Sequence, residues 1–197
     1  VSGSLKNGRE DNPVSLHAQM KNMDIPLLFK AFANFGQDAL TYENLKGSLS
    51  AEVDFRTAIT NEAEVLRRQS EGTIDFVLKN GELNNFEPMQ EVSEKAFKKQ
   101  DFSQIRFAEL RNRLEIKGTA FIINPMDVRS TALNFSTEGV YDVEKGTDMS
   151  IRLLIQNFTK SQAETDLSDE GRIKRGPGIR LRARTGDDGK LKISWDP

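Results

Sequence analysis

The sequence predicts a mainly β chain with a minor helical component. Three observations lead there: apolar and polar residues alternate strictly in segment after segment, turn dipeptides fall between those segments, and few stretches carry a helical period. Alternation buries one side of each strand only, and hairpin-length connections force antiparallel pairing. The expected architecture is a strongly curved antiparallel sheet, or a partly open barrel or groove, with two or three short amphipathic helices.

In chain order, Val14, Leu16, Ala18 and Met20 alternate with Ser15, His17, Gln19 and Lys21. A helix over about 24–35 follows, because Met23, Ile25, Leu28, Phe29 and Phe32 recur at three- and four-residue spacing, with Asp24 as N-cap and Pro26 in the first turn. Leu49, Ala51, Val53 and Phe55 then alternate with Ser50, Glu52, Asp54 and Arg56. Asn61 and Glu64 have the spacing of a capping box, which predicts a shorter helix over 61–69. Ile74, Phe76 and Leu78 form the next strand, and Asn80-Gly81 reads as a hairpin turn. Pro88 opens a helix over 88–98, whose apolar stripe is Met89, Val92, Ala96 and Phe97.

Further strands are expected at 114–117, 121–123, 128–135, 139–143, 150–157, 179–184 and 191–195, with turns at Lys117-Gly118, Lys145-Gly146 and Asp188-Gly189. Ile74, Phe76, Leu78, Phe107, Leu114, Ile116, Phe135, Ile151, Leu153 and Ile155 are expected to point inward, and Phe76→Asp to be severely destabilising as an unpaired buried charge. Residues 1–158 then form one curved β domain with helices near 24–35 and 88–98. Residues 159–178, nearly devoid of large apolar side chains, form a polar loop or linker, and 179–197 a closing hairpin of the same domain.

Composition narrows the function. The 197 residues include 28 Lys and Arg against 30 Asp and Glu, a net charge of −2, so no overall positive field draws nucleic acid. There is no cysteine and one histidine, His17, which disfavours thiolate chemistry, cysteine-ligated zinc and His-based triads; His17 is read as an exposed strand residue. No acidic pair stands at a spacing that a hydrolytic mechanism requires, and Gly176-Pro177-Gly178 lacks the lysine of a phosphate loop. Neither an enzyme nor a cofactor or metal site is expected. No apolar run is long enough to span a bilayer. The chain opens on Val1-Ser2 rather than Met, and is expected to be a piece of a longer protein.

The densest basic stretch, Arg172, Lys174, Arg175, Arg180, Arg182 and Arg184, suits anionic headgroups or phosphate. Alternation with Ile179, Leu181 and Ala183 also accounts for its last three members as the wet face of a strand. The apolar faces are the more informative feature, because about ten one-sided strands and two substantial helices leave apolar surface to cover. Either the sheet closes on itself, or an open trough remains that suits an acyl chain. Candidate groove residues are Leu49, Val53, Phe55, Leu181 and Trp195, with Arg180 and Arg182 outside.

The run Gly72 to Met89 resembles the AsmA-like C-terminal region of Gram-negative envelope proteins. In the same order follow Ile105 to Leu110, Leu114-Glu115-Ile116, Ile123-Asn124-Pro125-Met126, Ser130 to Asn134 and Gly139 to Val143, with Leu45-Lys46-Gly47 upstream. About half of the chain carries the likeness strongly, through turn and core positions rather than catalytic ones. The resemblance implies a large parent anchored in the inner membrane, with its body in the periplasm and a role in outer-membrane biogenesis. Such proteins are similar to bridge-like lipid-transfer proteins, so phospholipid acyl chains, and envelope proteins, are the implied partners. The alternative is a structural or protein-binding module that regulates envelope protein assembly or targeting.

Overall fold

The computed structural model describes residues 1–5, 11–36, 40–87, 90, 102–132, 134–154 and 178–196. They form one antiparallel sheet of eleven strands that does not close. The strands are β1 (Ser2–Leu5), β2 (Asn12–Asp24), β3 (Leu45–Ile59), β4 (Glu71–Asn84), β5 (Gln104–Arg106), β6 (Leu110–Lys117), β7 (Ala120–Val128), β8 (Phe135–Asp142), β9 (Gly146–Leu154), β10 (Gly178–Thr185) and β11 (Leu191–Trp195). Each pairs with its sequence neighbours, except that β5 and β6 share one edge of β4. These two strands hold one register, Leu83 opposite Ile105 and Leu78 opposite Leu110. They behave as a single strand interrupted at residues 107–109, where the Phe107 amide still donates to the Gly81 carbonyl at 2.8 Å.

The Asn80-Gly81 pair is not a hairpin. It sits inside β4, where Asn80 and Gly81 together oppose the single residue Gly47, a β-bulge. Asn80 takes a left-handed φ of 52°, and a Cβ on Gly47 would lie 3.1 Å from the Gly81 Cα, so two backbones meet where side chains are absent. Two further bulges follow the same plan: Lys21 and Asn22 oppose Ser50, and Asn124 and Pro125 oppose Glu138. Pro125, which cannot donate to a ladder, sits where one donor is dispensable.

One helix, α1 (Ile25–Ala31), occupies the first predicted helical stretch, with the Asp24 carboxylate accepting from the Leu27 amide at 3.1 Å as N-cap. It stops before 35 because Ala33, Asn34, Phe35 and Gly36 all have positive φ. The helix expected over 61–69 is absent apart from a single 3-10 turn, Arg67–Gln69. Ala63 has φ 64°, Ile59 bridges Val65, and the Thr60 hydroxyl accepts the Glu62 and Glu64 amides, so a tight loop replaces the capping box. The strand expected over 128–135 is split: β7 ends at Val128, and Ser130 and Thr131 pair instead with Phe107 and Arg106. Apart from Gln90, the helix expected over 88–98 lies outside the described residues, as do Ile155 and all but Gly178 of the polar segment 159–178.

The core sits at one end of the sheet. Phe102, Ile105, Leu153 and Leu181 are nearly inaccessible, and Leu83, Phe107, Ala132, Phe135, Ile151, Ile179 and Ile193 pack against them. No helix among the described residues is long and apolar enough to cross a membrane.

Candidate functional site: an apolar face across the strands

Residues directly opposite in antiparallel strands share a face, so register decides which side chains line up. From β2 to β11 one row reads Ala18, Val53, Ile74, Leu114, Ile123, Gly139, Met149, Ala183 and Ile193, each opposite the next. No polar side chain interrupts it across nine strands. At about 4.8 Å per step the row runs roughly 38 Å along a flat sheet. A neighbouring row holds Leu16, Phe55, Gly72, Ile116, Phe121 and Tyr141. On it the Phe121 and Tyr141 rings lie 6.1 Å apart, and burial raises the Tyr141 pKa.

The two halves of this face differ in cover. On β9 and β10, Leu153, Leu181 and Ala183 are at most 5% exposed. Across β2 to β4, by contrast, Ala18, Val53, Phe55, Ile74 and Phe76 are only half-buried, and Leu16 is 36% exposed. Two clefts of about 850 and 680 Å³ lie along β1, β2, β3, β4 and β6, and residues of both faces line them: Leu16, Phe55 and Ile116 with His17, Asp54 and Arg113 in the first, and Met20, Ala51 and Phe76 with Glu52, Asp75 and Arg111 in the second. Gly72, between Phe55 and Ile116, stands where the backbones of β3 and β4 approach closely. A Cβ there would stand 2.3 Å from the Asp54 carbonyl oxygen.

Leu49, Val53 and Phe55 therefore share one half-buried face of β3, and Leu181 and Trp195 are register partners on β10 and β11. The two groups lie six strand steps apart on the same face. Leu181 belongs to the closed core, whereas Trp195 is 60% exposed at the β11 edge.

The opposite face is charged and cross-strand paired. Arg113 on β6 grips Asp75 on β4 with two hydrogen bonds of 2.8 and 2.6 Å, which lowers the Asp75 pKa and raises that of Arg113. Lys46 holds Glu82 at 2.7 Å, and with Asn84 brings its pKa down to about 2. Arg180 and Arg184 are exposed while Leu181 and Ala183 are buried, the pattern of a strand's wet face. Asp148 accepts from Arg182 and, at 3.1 Å, from Arg184, and its pKa falls to about 2 chiefly through the Arg182 bond.

A depressed carboxylate stabilises the fold above its unfolded pKa of about 3.9, and loses that contribution as pH falls towards 2. Asp148→Asn is accordingly expected to flatten the acid limb of a stability–pH profile between about pH 4 and 2. Because all three side chains are partly solvated, the effect is below about 1 kcal/mol. Identical acid limbs for both proteins in urea titrations would contradict the pairing.

Sequence reasoning missed the partners of His17. Its Nδ1 lies 2.9 Å from Asp54 Oδ1, and its Nε2 3.7 Å from Glu52 Oε1. Alternation places all three on wet faces, but only the β2–β3 register brings them together.

No family model, no curated protein and no solved structure matches this chain.

Proposed function

We propose that this chain is a non-enzymatic lipid-shielding segment, a periplasmic part of an AsmA-like protein anchored in the inner membrane of a Gram-negative bacterium. It holds acyl chains between membranes in support of outer-membrane biogenesis. The uninterrupted apolar row from Ala18 to Ile193, left half-open over β2 to β4, carries this reading. An acyl chain gains about 0.8 kcal/mol per methylene removed from water, and a row crossing the strands offers that gain along its whole length with no headgroup partner required. Headgroups remain outside.

A curved sheet is part of the proposal. Three bulges bend their strands, and the joint burial of Ile105 beside β4 with Leu181 on β10 favours an apolar face that turns towards itself. The open half, around Leu49, Val53 and Phe55, is the acyl-chain contact; Leu181 supports it from within the core.

A photo-crosslinkable fatty acid is expected to label positions 53 and 55 and to spare Arg182, with phospholipid recovered by mass spectrometry from the purified protein. Labelling confined to the arginine face, or none, would refute the groove.

One observation favours the protein-binding alternative. Beyond the end of β2, Phe32 and Phe35 stack at 5.3 Å while 59% and 43% exposed, and Met23 and Leu27 are exposed as well. Such an aromatic cluster is the kind of anchor that protein interfaces use.

A further inference from the structure

We propose that His17, Glu52 and Asp54 form a binding site for a divalent transition-metal cation of the zinc class, on the polar face and independent of the lipid reading. One nitrogen or oxygen atom from each of the three comes within 4.8 Å of the others; His17 Nε2 and Glu52 Oε1 are the ligands, and Asp54 orients the ring. Their roles are distinct. A carboxylate can only accept, so the 2.9 Å contact makes Nδ1 a protonated nitrogen and leaves Nε2, which faces Glu52, as the nitrogen that would take the metal.

A carboxylate that fixes the tautomer and ring of a ligating histidine is the recurrent support of metal-bound imidazole. The open side completes the argument. Nε2 and Glu52 Oε1 face each other at 3.7 Å, too far for a hydrogen bond. Two atoms each about 2.0–2.1 Å from one tetrahedral zinc ion sit roughly 3.3 Å apart, so small rotations of exposed side chains close the site.

The neighbours fit a cation. Glu52 and Asp54 bring two negative charges to the imidazole, and the nearby Arg113 is already committed to Asp75 through a bidentate pair. Gln19, opposite Glu52 on β2, shares this face, and water completes the shell. One imidazole with carboxylates suits borderline metals rather than calcium, which takes six to eight oxygens. Bound there, the ion clamps β2 to β3 beside the β1 edge of the sheet.

Calorimetric titration of the whole chain with zinc alone, near neutral pH, is expected to give saturable one-to-one binding. His17→Asn should abolish it, and Asp54→Asn should weaken it by about 10–100-fold, as loss of an orienting carboxylate does. Calcium should give no binding. Nitrogen NMR of the imidazole is expected to show zinc moving Nε2 while Nδ1 keeps its proton. These side chains are exposed, so the metal-free melting temperature of each variant should stay within a degree or two of the parent. Unchanged binding in His17→Asn, no saturable heat in the parent, or ligation through Nδ1 would each overturn the assignment.

Discussion

Replacing Leu153 with alanine is expected to lower unfolding free energy by about 2–5 kcal/mol, the range for truncating a fully buried leucine. Leu153 is 2% exposed and belongs to the cluster with Phe102, Ile105 and Leu181, so β5, β9 and β10 lose a shared partner. Leu153→Asp should prevent cooperative folding, because an unpaired charge in that cluster cannot reach water. Phe76→Asp should behave differently. The alternation pattern expects Phe76 to be buried and the substitution to be severe, but Phe76 is half-buried and lines an open cleft. An aspartate there keeps its hydration, and the cost should stay below about 2 kcal/mol, mainly lost apolar burial. Urea melts of the three variants decide the matter. Phe76→Asp as damaging as Leu153→Asp would mean that the β2 to β4 half of the apolar face is covered, and would remove the open trough along with the lipid reading.

The contrast between Leu153 and Phe76 also marks what the sequence could and could not convey. Alternation is a local property of a pleated strand, so the facing of Val53, Phe55, Ile74 and Leu181 was legible from spacing alone. Cover is not local. Whether a facing residue is enclosed depends on what packs over it, and that follows from the packing of β5, β8, β9 and β10 around Phe102. The Asn80-Gly81 pair shows the same division. A hairpin turn and a bulge both place asparagine in the left-handed region before glycine, so the dipeptide cannot distinguish them; the approach of Gly47 can. Asn61 and Glu64 fail for a related reason, since the capping box presupposes helical residues between them and Ala63 is left-handed. The strands β1 and β5, four and three residues long, are too short for a period to register. The carboxylates around His17 were hidden because register across a hairpin-like pair is set by bulge and loop lengths that residue types do not report.

Gly139→Ala is expected to be among the most destabilising single-methyl additions in the chain, and a backbone collision is the cause. Gly139 lies in the middle of the apolar row, between Ile123 and Met149, beside the bulge formed by Asn124 and Pro125. Its φ is +151°, a conformation that side-chain-bearing residues rarely adopt, and which costs about 1–3 kcal/mol to impose on one. Space is lacking as well. A Cβ would stand 2.4 Å from the Asp148 carbonyl oxygen and 2.6 Å from the Met149 Cα, both backbone atoms, so β8 and β9 would have to separate. Separation would break the ladder that joins the buried half of the apolar face to the open half. Gly189, at the β10–β11 turn, isolates the two contributions, because it has φ +75° but nothing within 4 Å of its Cβ position. Gly189→Ala should cost about 1 kcal/mol from conformation alone. Gly139→Ala should exceed it by 2 kcal/mol or more in the same denaturant series, as an overpacked contact that backbone cannot relieve. Equal losses at the two positions would mean that β8 and β9 have room to part, and that the apolar row is not held as one continuous surface at its centre.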